Sequence, residues 1–160
     1  MISSQDLSEA FARNVNIIKR QADGLTDEDC LRQLPSNSNC MNWVLGHIAV
    51  SRDDVLRTLG EPPEMQANGA RYKRGSDPVT AADEDILPLE ELLNWLDRTQ
   101  ERIATALTKM SAAALARELP SDERKLTIGQ RAFFLYFHET YHVGQTELFR
   151  QLAGKNDKII

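Results

Sequence analysis

Four long stretches of the chain place apolar residues at three- and four-residue steps, and none alternates apolar and polar residues as a half-buried strand does. Helices with one apolar stripe each must bury those stripes against one another, so an all-α four-helix bundle is the expected fold. The first stretch, about Ser4 to Ala22, carries Leu7, Ala10, Phe11, Val15 and Ile18 on its stripe and stops at Gly24. The second is expected to start near Ser38 or Asn39, both good helix caps. It reads through Met41, Val44, Leu45, Ile48, Val55, Leu56 and Leu59, and Gly60 with Pro62-Pro63 closes it. The third opens at Pro88, a residue suited to the first helical position, and runs through Leu92, Leu93, Leu96, Ile103, Leu107 and Met110. The fourth has the clearest start. Thr127 followed by Gln130 is a capping-box pattern, and the helix is expected to end at Ala153 with Gly154 in the left-handed position.

The pieces between them also carry information. Thr26 can cap a turn or two before Pro35, and Ser111 to Glu118 reads as a second short helical piece before Pro120. The connection from Glu61 to Leu87 is long, polar and rich in glycine and proline. Such a crossover can carry the chain along the bundle, so the second and third helices are expected to run parallel rather than as a hairpin. With 160 residues the whole chain, 1–160, is expected to form one domain around one continuous core.

Composition narrows the function classes. A net charge of −5 with scattered basic residues lacks the footprint of a nucleic-acid binder or of a polybasic membrane patch. The longest strongly apolar run, Ala132 to Phe137, is far too short for a membrane span. The N-terminal residues carry neither a basic start nor a long apolar stretch, which argues against a secretory signal. Two cysteines, Cys30 and Cys40, do not make a disulfide framework, and a reducing cytoplasm is the expected location.

Chemistry concentrates in the three histidines, His47, His138 and His142. Four residues apart, His138 and His142 lie about 40° apart around a helix and roughly 6 Å apart along it, so two imidazoles can converge on one ion. Phe134, Leu135, Tyr141, Phe149 and Leu152 share their side of the helical wheel, which predicts that the pair faces the interior. Buried imidazoles need partners for their ring nitrogens, and a divalent metal supplies one. His47, between Val44 and Ile48 on the apolar side of the second helix, is the expected third ligand. The alternative is three separate buried histidines, each hydrogen-bonded to a neighbour. Three protein ligands leave a position open for water or substrate, as reactive rather than structural sites do. Cys40 is about 10.5 Å from His47 along the helix axis, too far to share the ion. Both cysteines read as small buried residues.

His138-Glu139-Thr140-Tyr141-His142 also fits the metalloprotease pattern H-E-x-x-H. Only 18 residues follow His142 and none is a histidine, Gln145 and Leu148 occupy the positions where the extended pattern needs Gly and His, and no strand is evident to align a peptide. The match therefore reads as incidental. Glu139 is kept as a candidate general base for hydrolysis, although it sits about 100° from His138 and a helix-contact role is the plainer expectation. Ser51 and Asp54, one and two turns beyond His47, could line an open end of the pocket. Arg131, two turns before His138, could meet an anionic ligand there. Trp43 and Gln145 are expected to pack and hydrogen-bond near the site.

Two segments carry a family resemblance. Asn42-Trp43-Val44-Leu45-Gly46-His47-Ile48-Ala49 is similar to the Trp-x-x-Gly-His-Ile/Leu-Ala stretch of the DinB-like family of metal-binding helical bundles. His138-Glu139-Thr140-Tyr141-His142-Val143-Gly144-Gln145 resembles its His-x-x-x-His-x-Gly-Gln stretch. The resemblance spans nearly the whole chain. It implies an unusual helix order, one divalent ion (zinc or nickel first, iron or manganese next) and frequent homodimers. It further implies, for some members, transfer or isomerisation chemistry that uses low-molecular-weight thiols. The expected function is thus a divalent-metal-dependent enzyme acting on a small molecule, with thiol-dependent S-transfer as its reaction. The alternatives are a non-catalytic metal- or ligand-binding bundle of a stress response and a metal-dependent hydrolase.

Overall fold

The protein is described here from a computed structural model, which describes residues 2–35, 39–64, 68–80, 85–120 and 125–160. Among the described residues six α-helices follow in chain order: α1 Ser4–Ala22, α2 Asp27–Cys30, α3 Met41–Thr58, α4 Leu89–Thr108, α5 Ala112–Leu115 and α6 Ile128–Leu152. A 3-10 turn, Asn68–Tyr72, interrupts the crossover between α3 and α4. Among the described residues no strand forms, only an isolated bridge between Glu118 and Thr127.

Local chemistry sets the helix boundaries. Ser3 with Asp6, Thr26 with Asp29 and Thr127 with Gln130 each form a reciprocal capping box. Ser111 caps α5, and Gly154 takes up the expected positive φ of 82° after α6. Two starts differ from the sequence expectation. Cys40, not Asn39, occupies the cap position of α3 and makes no side-chain cap bond, while Ser38 lies outside the described residues. The reason is burial: Cys40, Met41, Asn42 and Trp43 enter the core together, so the first turn is anchored by packing rather than by a solvated cap. Pro88 is the residue before α4, its carbonyl accepting from the Leu92 amide, one step earlier than the position assigned to it.

The four long helices form a ring in which α1 packs on α4 and α6, and α3 packs on the same two. Direction follows from paired positions. Asn42, at the start of α3, bonds the carbonyl of Leu87 just before α4, and Arg52 further along α3 bonds Gln100 further along α4. Those helices therefore run parallel, as the long crossover predicted. Asn14 of α1 bonds Thr140 of α6, and Arg150 near the end of α6 clasps the carbonyls of Gln21 and Asp23 at the end of α1. So α1 and α6 also run parallel to each other.

The core has two apolar layers. One gathers Ile18, Met41, Leu45, Ile48, Trp95 and Leu96; the other gathers Leu7, Phe11, Leu56, Ile103, Ala132 and Leu135. Each long helix also buries polar side chains, among them Asn14, Arg52, Thr99 and Glu139. The crossover is bolted to the first layer by Tyr72, whose hydroxyl donates to Asn42 Oδ1 and accepts from the Leu87 amide. No helix among the described residues is long and apolar enough to cross a membrane.

Candidate metal centre

Helices α3 and α6 pack side by side, and the three histidines meet in their seam. His47 is buried, whereas His138 and His142 are half-buried at the edge of α6. His138 Nε2 lies 3.3 Å from His47 Nε2 and 3.2 Å from His142 Nε2. Nitrogens held about 2.0–2.1 Å from one tetrahedral ion stand roughly 3.3–3.4 Å apart, so these two spacings match a ligand set, and all three rings offer a nitrogen within 4.8 Å of the others.

Backbone and side-chain acceptors aim two of the rings. His47 Nδ1–H donates to the Tyr72 carbonyl at 2.7 Å, and His142 Nδ1–H donates to Gln145 Oε1 at 2.6 Å. A carbonyl can only accept, so each of these rings carries its proton on Nδ1 and turns a bare Nε2 lone pair inward. Only His138 can place a proton among the three, and its Nδ1 is buried with no hydrogen-bond partner. One proton cannot satisfy three converging lone pairs as evenly as a divalent cation does. The donor set therefore fits a metal such as zinc or nickel, for which imidazole is a suitable ligand.

Electrostatics keep the rings in the neutral, ligating form. Burial, reinforced by the neighbouring His142 and His47 rings and by Arg131, and opposed by Asp54, pushes His138 down to about 4. Burial likewise lowers His47 against the pull of the Tyr72 carbonyl and Asp54. Burial also lowers His142 against its bond to Gln145, with His47 adding to the shift. Protons thus compete weakly with a metal near neutrality.

Packing holds the ring planes. Trp43 stacks on His47 with centroids 4.6 Å apart and an interplanar angle of 11°, and its indole N–H donates to Ser76 in the crossover. Tyr141 meets His142 edge-on. Gly46 lets the crossover approach: a Cβ there would fall 2.2 Å from the Tyr72 ring. The Tyr72 carbonyl reaches His47 because that ring can come up against α3 at Gly46. Sequence reasoning missed Tyr72, and its available signal was a glycine inside a helix beside the histidine.

The remaining candidates are placed as follows. Ser51 is buried on α3. Asp54 is half-exposed, accepts from Arg57, and acts on His47 and His138 through its charge. Arg131 lies over the Phe134 ring at 5.5 Å and acts on His138 from the same helix. Glu139 is buried and gives its carboxylate to Arg52 at 2.8 Å, a partner that sequence reasoning did not anticipate. Gln145 is the acceptor for His142. Cys30 and Cys40 are both buried and free. The wheel had set the histidines on an interior stripe with Phe134 and Tyr141, yet both of those aromatics are exposed. Helix α6 is apolar on nearly every side, so apolar neighbours do not mark its core face. That face is Ala132, Leu135, Glu139, Val143, Thr146 and Phe149, and the histidines stand at its border.

Comparison with known proteins agrees with the fold. The sequence profile of the DinB superfamily matches residues 10–146, a span that includes all three histidines. The crystal structure of a conserved Enterococcus faecalis protein superposes with a TM-score of 0.74 at 15% identity, covering 98% of this chain and 99% of that one. At that identity the likeness shows the fold. No curated protein matches the chain.

Proposed function

The chain belongs to the DinB superfamily, and from that premise we propose that it is a divalent-metal-dependent enzyme that transfers a low-molecular-weight thiol to a small electrophile. The observation that carries the reading is the convergence of three Nε2 atoms in a seam whose α6 side is half-open to solvent. When bound there, a divalent ion supplies Lewis acidity and lowers the pKa of a thiol or water at its open position.

The chain's own residues do the rest. Tyr72 and Gln145 orient two rings from behind, as acceptors beyond a metal's ligands commonly do. Trp43 shields His47 on one face, leaving the α6 side for a substrate. In the transfer step the thiol proton passes to solvent, the sulfur lone pair forms the new C–S bond, and the leaving group departs with the electrons of the bond it breaks. Arg131 and Asp54 act on His138 with opposite charges, which suits a polar small molecule beside it. Hydrolysis with Glu139 as base fits less well, because that carboxylate is engaged by Arg52 in the core.

The test is turnover. The zinc- or nickel-loaded chain is incubated with glutathione, cysteine or coenzyme A and a soluble electrophile. Thiol-dependent conjugation that disappears in His47→Ala and His142→Ala is the expected result. Retained metal with no conjugation by any thiol overturns the transferase and leaves a binding bundle, and thiol-independent hydrolysis overturns it in favour of a hydrolase.

A further inference from the structure

Helix α6 aligns more than its two histidines. At 100° per residue, Arg131, Phe134, His142 and Gln145 all fall within about 40° of His138 around the axis. The stripe runs from the seam toward the start of the helix, and Arg131 stands two turns, about 10.5 Å, before His138. Its guanidinium lies 5.5 Å from the centre of the Phe134 ring. That ring, 43% exposed, occupies the turn between Arg131 and His138, so an apolar floor joins the cation to the imidazoles.

Opposite this stripe runs α3. Arg52 meets Glu139 while His47, five residues earlier, meets His142, so α3 and α6 are antiparallel. The direction that leads from His138 to Arg131 on α6 therefore leads from His47 to Ser51 and Asp54 on α3. Asp54 gives its carboxylate to Arg57 at 2.7 Å, one turn along its own helix. It does not bridge to Arg131, whose guanidinium has no ion pair or hydrogen bond among the described residues. Stacking on Phe134 steadies the half-buried guanidinium and leaves its edge N–H donors open. His138 feels the charges of both Arg131 and Asp54, which sets the two side chains beside the seam rather than remote from it.

We propose that Arg131 is the anion-binding residue of the seam, and that the small molecule acted on carries a carboxylate about two helical turns from the atom that reaches the ion. The proposal rests on the metal reading and names the class of molecule that the seam admits. A guanidinium holds a carboxylate through two parallel N–H···O bonds. The middle of the molecule then lies along Phe134, where methylene groups or a ring find an apolar surface. Short anions that cannot span the interval gain nothing from Arg131.

Cobalt(II) loading tests it, because thiolate-to-cobalt charge-transfer absorption reports a thiol at the ion without any turnover. The loaded native chain is titrated with mercaptohexanoate, whose extended chain spans most of the interval, and with mercaptohexanol, which lacks the charge. Tighter binding of the carboxylate by roughly fivefold is expected, the upper range for a partly exposed ion pair. Arg131→Met is expected to bind both probes alike with cobalt per chain unchanged. Arg131→Lys, which keeps the charge without the fork, is expected to keep part of the preference. Equal affinity of the native chain for the two probes overturns the proposal, as does a preference that survives in Arg131→Met. Cobalt held with no charge-transfer band from either probe overturns it too and leaves the ion site standing. A native chain that binds no cobalt removes the metal reading and this proposal with it, whereas absent conjugation in the turnover assay bears only on the transferase.

Discussion

Arg52 and Glu139 meet at 2.8 Å with side chains 0% and 1% exposed, joining α3 to α6 in the middle of the bundle. The same guanidinium reaches the Phe11 carbonyl and Gln100, so one side chain on α3 ties to α1, α4 and α6. Glu139→Gln leaves a buried charge without its counterpart and is expected to cost about 3–5 kcal/mol in urea unfolding. The double variant Arg52→Met with Glu139→Leu is expected to recover most of that loss, since apolar replacement of a whole buried pair is often neutral. A double variant as unstable as the single would show that the pair is not the unit.

Gly46 and Tyr72 form the second dependence. Gly46→Ala places a methyl 2.2 Å from the Tyr72 ring, so the crossover must move. The expected loss is about 1–3 kcal/mol, the range for overpacking a well-filled core. Metal affinity should fall as well, because the carbonyl that orients His47 moves with the ring. Affinity unchanged in a destabilised protein would separate the crossover from the site.

Acid should act through the histidines. Their folded pKa values lie below the ordinary value, His138 at about 4, so the folded chain prefers them neutral. Above the ordinary value of about 6.5 neither state gains protons. As pH falls from there toward about 4 the unfolded chain takes up protons first, and stability is lost. The melting temperature of the metal-free protein should decline across that window more steeply than that of His138→Ala. Retained metal, measured after dialysis, should fall in the same window.

The two thiols should be silent. Burial, with Asp27, Cys40 and Asp29 adding to it, pushes Cys30 up to about 12, and burial raises Cys40 as well. The thiolate is the reactive form, so Ellman's reagent should find no reactive thiol in the folded chain and both cysteines after denaturation. Rapid labelling under native conditions would contradict their placement.

Much of this architecture was legible because it is local. Thr127, Thr26 and Ser111 announce helix starts through caps that depend on neighbours three residues away. The parallel course of α3 and α4 followed from the length of the chain between them. What was not legible depends on distant partners. Arg52 and Glu139 are 87 residues apart, and nothing near either residue specifies the other. The outer face of α6 was hidden for a different reason. Its exposed aromatics and its buried stripe are both apolar, so periodicity locates the helix without orienting it. The histidine set survived that ambiguity because a seam position serves either orientation.

The account's central claim is that three imidazoles share one cation. Zinc titration of the metal-stripped native chain by calorimetry tests it most directly, with the His47→Ala, His138→Ala and His142→Ala variants run beside it. Saturation at one ion per native chain, with affinity lost in each variant, is the predicted result. Absence of saturable binding by the folded native chain, or full-affinity binding by all three variants, would contradict it.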